Sequence, residues 1–202
     1  MAWIETISYK DATGKLRRLY DRIASSDGIV DNVMKVHSLR PHSMEGHMAL
    51  YKNVLHHSGN SQPKWFLELL GVWVSVLNGC SYCVDHHAAG LARLMQDDAR
   101  VADIRAALEA RDILRVPVRD AEKAALRYAK KLTETPAEMR AADVADLRAE
   151  GFSDGDILEI NQVVAYFAYA NRTVLGLGCT TQGDVLGLSP GNSEDPDDWN
   201  HG

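Results

Sequence analysis

The sequence predicts a single all-α domain, and three observations carry that prediction. Apolar residues recur at helical spacing along almost the whole chain. Runs of alternating β-branched residues are scarce, and the breaks fall at residues that start or stop helices. At 202 residues and 46% hydrophobic content, the chain can bury one substantial core and is too short to require two.

The elements follow in order. Leu16, Leu19, Tyr20 and Ile23 predict a helix over 11–23. Pro41 opens a second over 42–57, which Ser58-Gly59-Asn60 closes. Pro63 opens an apolar helix that stops near Asn78-Gly79, and a helix over 80–96 follows, so these two form a central antiparallel pair. Shorter helices are expected over 102–110, 119–133 and 143–149. Ser153, three residues before Asp156, starts a long apolar helix to about residue 175. The domain is set at 1–180, with its motif core at 63–92. The segment 181–202, rich in Gly, Ser, Pro and Asp, is expected to be an irregular tail, and Trp199 is its one residue suited to anchoring it, on a neighbouring subunit.

The formal charge of −6 argues against nucleic acid or an anionic membrane surface as a partner, because either favours clustered Lys and Arg. The N-terminus has neither a basic nor an apolar leader region, and the longest apolar run, 65–77, falls short of the ~20 residues of a membrane-spanning helix. A cytoplasmic protein is expected. Three cysteines are too few for a secreted disulfide framework, so a close pair reads as redox or metal chemistry.

That pair is Cys80-Ser81-Tyr82-Cys83. Asn78-Gly79 places Cys80 at the first turn of a helix, where unpaired N–H groups favour a thiolate, and cysteines three apart on a helix suit the ~5.5 Å Cα spacing of a disulfide. His87 lies one turn beyond Cys83 on the same face, where it can exchange a proton with the thiol. Glu68 is the only charged residue within 65–74, and a lone buried carboxylate needs a partner. In a hairpin about Gly79, Glu68 lies 11 residues before the turn and His87 lies 8 after it. At ~1.5 Å per residue the axial mismatch is about 4.5 Å, which side chains can span. Nucleophile, base and orienting acid therefore share one site.

Other readings stay open. Two thiolates, an imidazole and a carboxylate also make a mixed metal site, although the second Cys or His pair of a zinc finger is missing. The stretch holding His37, His42, His47, His56 and His57 lacks a His-Glu-x-x-His spacing and reads as helix surface and core. Cys179, near a helix end, reads as an incidental buried thiol. Trp65, Phe66, Trp73 and Met95 suit a pocket wall as well as a core. No phosphate-binding glycine loop is present, and no flavin, haem or nucleotide cofactor is implied.

Glu68, Cys80, Cys83 and His87, with Ser75, Asn78 and Tyr82 set among them, closely resemble the motif of the AhpD-like alkylhydroperoxidases of the carboxymuconolactone decarboxylase-like superfamily. Asn171-Arg172 and Leu175-Gly176-Leu177-Gly178 resemble its peroxidase-related branch. The resemblance implies a helical bundle that assembles as a homo-oligomer, a trimer or hexamer, with a dimer also allowed. It implies that Cys83 attacks the peroxide, Cys80 resolves the sulfenic acid, and His87 and Glu68 manage the protons, with Tyr82 and Ser75 in support. AhpD proteins carry a histidine between the cysteines where this chain has Tyr82, whose phenol, with a pKa near ~10, is a poorer proton shuttle. The expected function is a thiol-dependent peroxidase that reduces organic hydroperoxides and is recycled by a lipoyl or thioredoxin-type dithiol. The alternatives are a thiol-disulfide adaptor for a partner peroxidase, and a metal-binding or structural oligomer with a vestigial site.

Overall fold

A computed structural model describes residues 2–191, 193–195 and 198–199. Nine α-helices and no strand occur among them. Amphipathic α1 (Gly14–Ile23) buries its four expected apolar residues. The four-residue α2 (Asn32–Lys35) was not expected, being too short to show a period. Then come α3 (Pro41–Leu55), with Pro41 in the first turn, α4 (Lys64–Leu77) and α5 (Ser81–Met95). Helix α6 (Asp98–Glu109) starts four residues before the expected 102, because the Asp97 carboxylate caps it by accepting the Arg100 N–H at 3.0 Å. Two short 3-10 turns, also unexpected, flank α7 (Asp120–Glu134). The chain then forms α8 (Ala141–Ala149) and α9 (Asp154–Leu177).

The α4–α5 hairpin is the centre. Ten consecutive residues of α4, Phe66 to Ser75, are buried, which is why its apolar run has no polar stripe. Helix α4 lies against α5, α7 and α9. Trp73 pins it to α7 through an Nε1–H bond to the Leu126 carbonyl, 2.9 Å. Gly71 lets α9 approach, since a Cβ there would meet the Phe167 ring at 2.2 Å. The long α9 is framed by a reciprocal Ser153–Asp156 capping box and by Gly178 in the left-handed conformation. No helix among the described residues is long and apolar enough to cross a membrane.

Beyond α9 the described residues are irregular, as the composition predicts, yet they are packed on the domain. Arg93 of α5 donates to the Gly187 and Leu186 carbonyls at 2.9 and 3.1 Å. The buried Lys52 donates to the Gly191 carbonyl and, at 3.1 Å, to Ser193 Oγ. Trp199 is buried with its ring 6.0 Å from that of Tyr51. Trp199, the residue suited to anchoring the tail, packs on the aromatic face of α3 of its own chain. Pro196 and Asp197 of the acidic ending lie outside the described residues.

Candidate redox site

The turn after α4 builds the site. Asn78 ends the helix, Gly79 takes a φ of +69° that favours glycine, and the Cys80 N–H returns to the Ser75 carbonyl at 2.9 Å. Cys80 is therefore the N-cap residue of α5, with Cys83 one turn inside. The two free thiols stand with Sγ atoms 2.9 Å apart. A formed bond measures about 2.05 Å, so the pair can close with little movement.

The two sulfurs are not equivalent. The hydrogen bond between the two sulfurs holds the Cys80 thiol below its ordinary pKa, against the opposing effect of burial. The same bond, and then burial, push Cys83 well above its own. The polar support comes from α9. Buried Asn171 donates to Ser75 Oγ at 3.0 Å and accepts from Asn78 at 2.9 Å, and Ser75 Oγ returns to the Gly71 carbonyl at 2.8 Å.

Across the hairpin, Glu68 and His87 meet as the axial arithmetic predicts. Glu68 is 2% exposed, and its Oε2 lies 2.7 Å from His87 Nδ1. That contact fixes the ring and leaves Nε2 as the nitrogen available for proton transfer. The other oxygen, Oε1, lies 4.0 Å from Nε2 of the fully buried His56, neither of whose ring nitrogens has a hydrogen bond.

Cys83, Glu68 and His87 line one cavity of about 60 Å³. Its wall also takes in Asp31, Val33 and Met34, His47 and Tyr51 of α3, Tyr82, His86 and Gly90 of α5, Tyr166 and Ala170 of α9, and the tail at Gly187 to Ser189. Gly187 is there because nothing larger fits: its φ is +77°, and a Cβ would press on the α5 backbone at Ala89 and Gly90 from 2.9 Å. Cys80, fully buried, does not line the cavity.

The carboxymuconolactone decarboxylase family model matches residues 41–135, which span α3 to α7 and include the hairpin. The chain is also similar to a solved uncharacterised peroxidase-related protein with an alkylhydroperoxidase AhpD core from Ralstonia eutropha JMP134. The TM-score is 0.78 at 22% identity, over 92% of this chain and 96% of that one. A second, from Silicibacter sp. TM1040, is an uncharacterised peroxidase-related protein, with a TM-score of 0.76 at 26% identity over 89% and 91%. Over its hairpin core and in its fold, the chain is similar to the AhpD-like members of the carboxymuconolactone decarboxylase superfamily. The superfamily fold also appears in the debrominase Bmp8, with a TM-score of 0.69 at 19% identity over 87% and 89%. No curated protein matches.

Set against this AhpD-like frame, all six expected site residues gather about the hairpin. Tyr82 packs in one cluster with the two cysteines and lines the cavity, but its hydroxyl is engaged elsewhere. Its hydroxyl donates to Asp184 Oδ2 at 2.7 Å and accepts the Val33 N–H at 3.1 Å, while burial, and then Asp184, push its phenol far above the ordinary range. Cys179, read as incidental, joins Cys80 and Cys83 in one apolar cluster, though burial raises its thiol to about 11. Trp65, Phe66, Trp73 and Met95 are core rather than cavity wall. The sequence reading missed the wall formed by His47, Tyr51, Tyr166 and the tail. His47 belongs to the histidine-rich stretch whose sequence reads as helix surface and core.

Proposed function

We propose that this chain is a thiol peroxidase that reduces an organic hydroperoxide to the alcohol and water through a Cys80–Cys83 dithiol and disulfide cycle. The observation that carries the reading is the sharing of one cavity by the Cys83 thiol and the Glu68–His87 pair, bonded at 2.7 Å. In the first step His87 takes the Cys83 proton, and the thiolate attacks the terminal peroxide oxygen. An S–O bond forms, the O–O bond breaks, and the leaving alkoxide takes the proton from His87. In the second, the Cys80 thiolate attacks the Cys83 sulfenic sulfur, an S–S bond forms, and hydroxide leaves as water with a relayed proton. The acidity of Cys80 suits this resolving role. The cavity favours Cys83 as attacker, since it is the sulfur on its wall.

The cavity also bears on substrate. About 60 Å³ holds only a few water-sized groups, at roughly 10–15 Å³ each. It suits a peroxide O–O terminus with its organic part directed outward, and is small for a polyhalogenated ring. A thiol or dithiol reductant, for which a lipoyl or thioredoxin-type protein is the natural class, reopens the disulfide.

The test is thiol titration before and after one equivalent of cumene hydroperoxide. The wild type should lose two thiols and Cys83→Ser none. Unchanged wild-type thiols would sink the peroxidase reading, and loss only with a disulfide donor would replace it with the adaptor reading.

A further inference from the structure

At the edge of the redox cavity, whose wall includes Asp31 and His86, three side chains far apart in sequence converge. Asp31 precedes α2, His86 lies on α5 and Asp184 in the tail, and one ligand atom from each lies within 4.8 Å of the others. His86 Nε2 stands 3.3 Å from Asp184 Oδ2, with side-chain exposures of 9% and 0%. That nitrogen is buried and makes no hydrogen bond, so its contact with Asp184 lacks the alignment of N–H to oxygen.

The surroundings hold these groups in place. The Asn32 N–H donates to both Asp184 oxygens, at 3.1 and 3.0 Å, and the Tyr82 hydroxyl adds its bond to Oδ2. The Tyr82 ring flanks the His86 ring at 4.5 Å between centroids. Donors that orient a carboxylate from outside, with an imidazole fixed by packing, are the supports that metal ligands have in proteins.

We propose that Asp31, His86 and Asp184 form a binding site for one divalent transition-metal cation, separate from the cysteine pair. Two carboxylates with one imidazole and no thiolate are a donor set for Mn²⁺, Fe²⁺, Co²⁺ or Zn²⁺. Ligand bonds of about 2.0–2.2 Å place donor atoms no more than about 4.4 Å apart, so a cluster within 4.8 Å needs only a few tenths of an ångström of closure. The ion would tie the tail to α5 and to the segment before α2. It would thereby fasten Gly187 to Ser189 over the cavity, which also explains why Tyr82 is committed to Asp184.

The test titrates reduced, metal-free full-length protein with Co²⁺, read by equilibrium dialysis and absorption. One equivalent should bind with visible d–d bands and no strong near-ultraviolet thiolate charge-transfer band. Binding should weaken at least about tenfold in His86→Gln and in Asp184→Asn, and be unchanged in Cys80→Ser/Cys83→Ser. Far-UV circular dichroism checks each fold, and the conservative His86→Gln decides alone if the Asp184 variant fails to fold. No saturable binding would overturn the proposal. So would a thiolate band that disappears in the cysteine double variant, or binding that His86→Gln leaves intact.

Discussion

The α4–α5 hairpin and the tail packed on it both line one cavity, and they are held by different means. The hairpin places Glu68, Cys80, Cys83 and His87 on regular backbone in a buried, interlocked core, through offsets written into about twenty residues of sequence. The tail has no regular structure among its described residues, and polar contacts with exposed Arg93 and with buried Lys52 and Tyr82 hold it on the domain. The contrast teaches a division of labour. The proposed chemistry sits on the buried, interlocked hairpin, and the irregular tail bordering its cavity is expected to open more locally.

The largest effect should come from the hairpin. Glu68→Gln keeps the shape but replaces the carboxylate that hydrogen-bonds and orients His87, so oxidation by cumene hydroperoxide should slow about 100-fold. Stopped-flow thiol loss measures this, and a rate within a factor of three of wild type would remove Glu68 from the relay. Next in size is a packing change. Gly71→Ala drives a methyl into the Phe167 ring, and overpacking on this scale costs about 1–3 kcal/mol. A chain of this size should then lose roughly 3–10 °C in Tm by calorimetry. An unchanged Tm would mean that the α4–α9 seam is looser than its geometry.

The same contrast explains what the sequence could reveal. Glu68, Cys80, Cys83 and His87 were legible because helical spacing and one hairpin convert residue offsets directly into distances, and the 2.7 Å Glu68–His87 contact lies where that conversion puts it. Asp184 and Gly187 were not legible. They meet α5 about a hundred positions away, from a segment without periodicity, and no local pattern encodes such a contact. His47, Tyr51 and Tyr166 were hidden for another reason: a buried aromatic or histidine at helical spacing looks the same whether it faces packing or a cavity. Trp65 and Trp73 show the same ambiguity from the other side, since side chains that suit a wall as well as a core pack in the core.

A third prediction concerns pH and again belongs to the core. Burial, with His37 adding, lowers the His47 pKa to about 3, and burial also lowers His37 and, well below its ordinary value, His56. These rings are neutral in the folded chain, whereas the unfolded chain protonates them near 6.5. Below that pH the unfolded state binds more protons, so stability is lost as pH falls, for His47 continuing down to about 3. Each fully buried ring should add a slope approaching about 1.4 kcal/mol per pH unit. Tm measured from pH 7.5 to 4.5 should fall, and fall less steeply in His47→Phe. An identical slope in that variant would show that His47 takes up its proton without unfolding.

The smallest effect on global stability, and the sharpest test of the contrast, comes from Arg93→Ala. Arg93 is exposed, and hydrogen bonds of its kind contribute about 0.5–1.5 kcal/mol each. Its loss should move Tm by under roughly 2 °C, because the tail opens without the core. Local readouts should respond more. Amide exchange over 184–191 should accelerate, and Cys83 should react several-fold faster with a bulky aromatic disulfide. Gly187→Ala, which combines a strained φ with a backbone clash at Ala89 and Gly90, should do the same through a different contact. If both variants expose Cys83 equally while Tm holds, the tail is the gate. If Tm falls in step with exposure, the tail is part of the cooperative core and the division of labour fails.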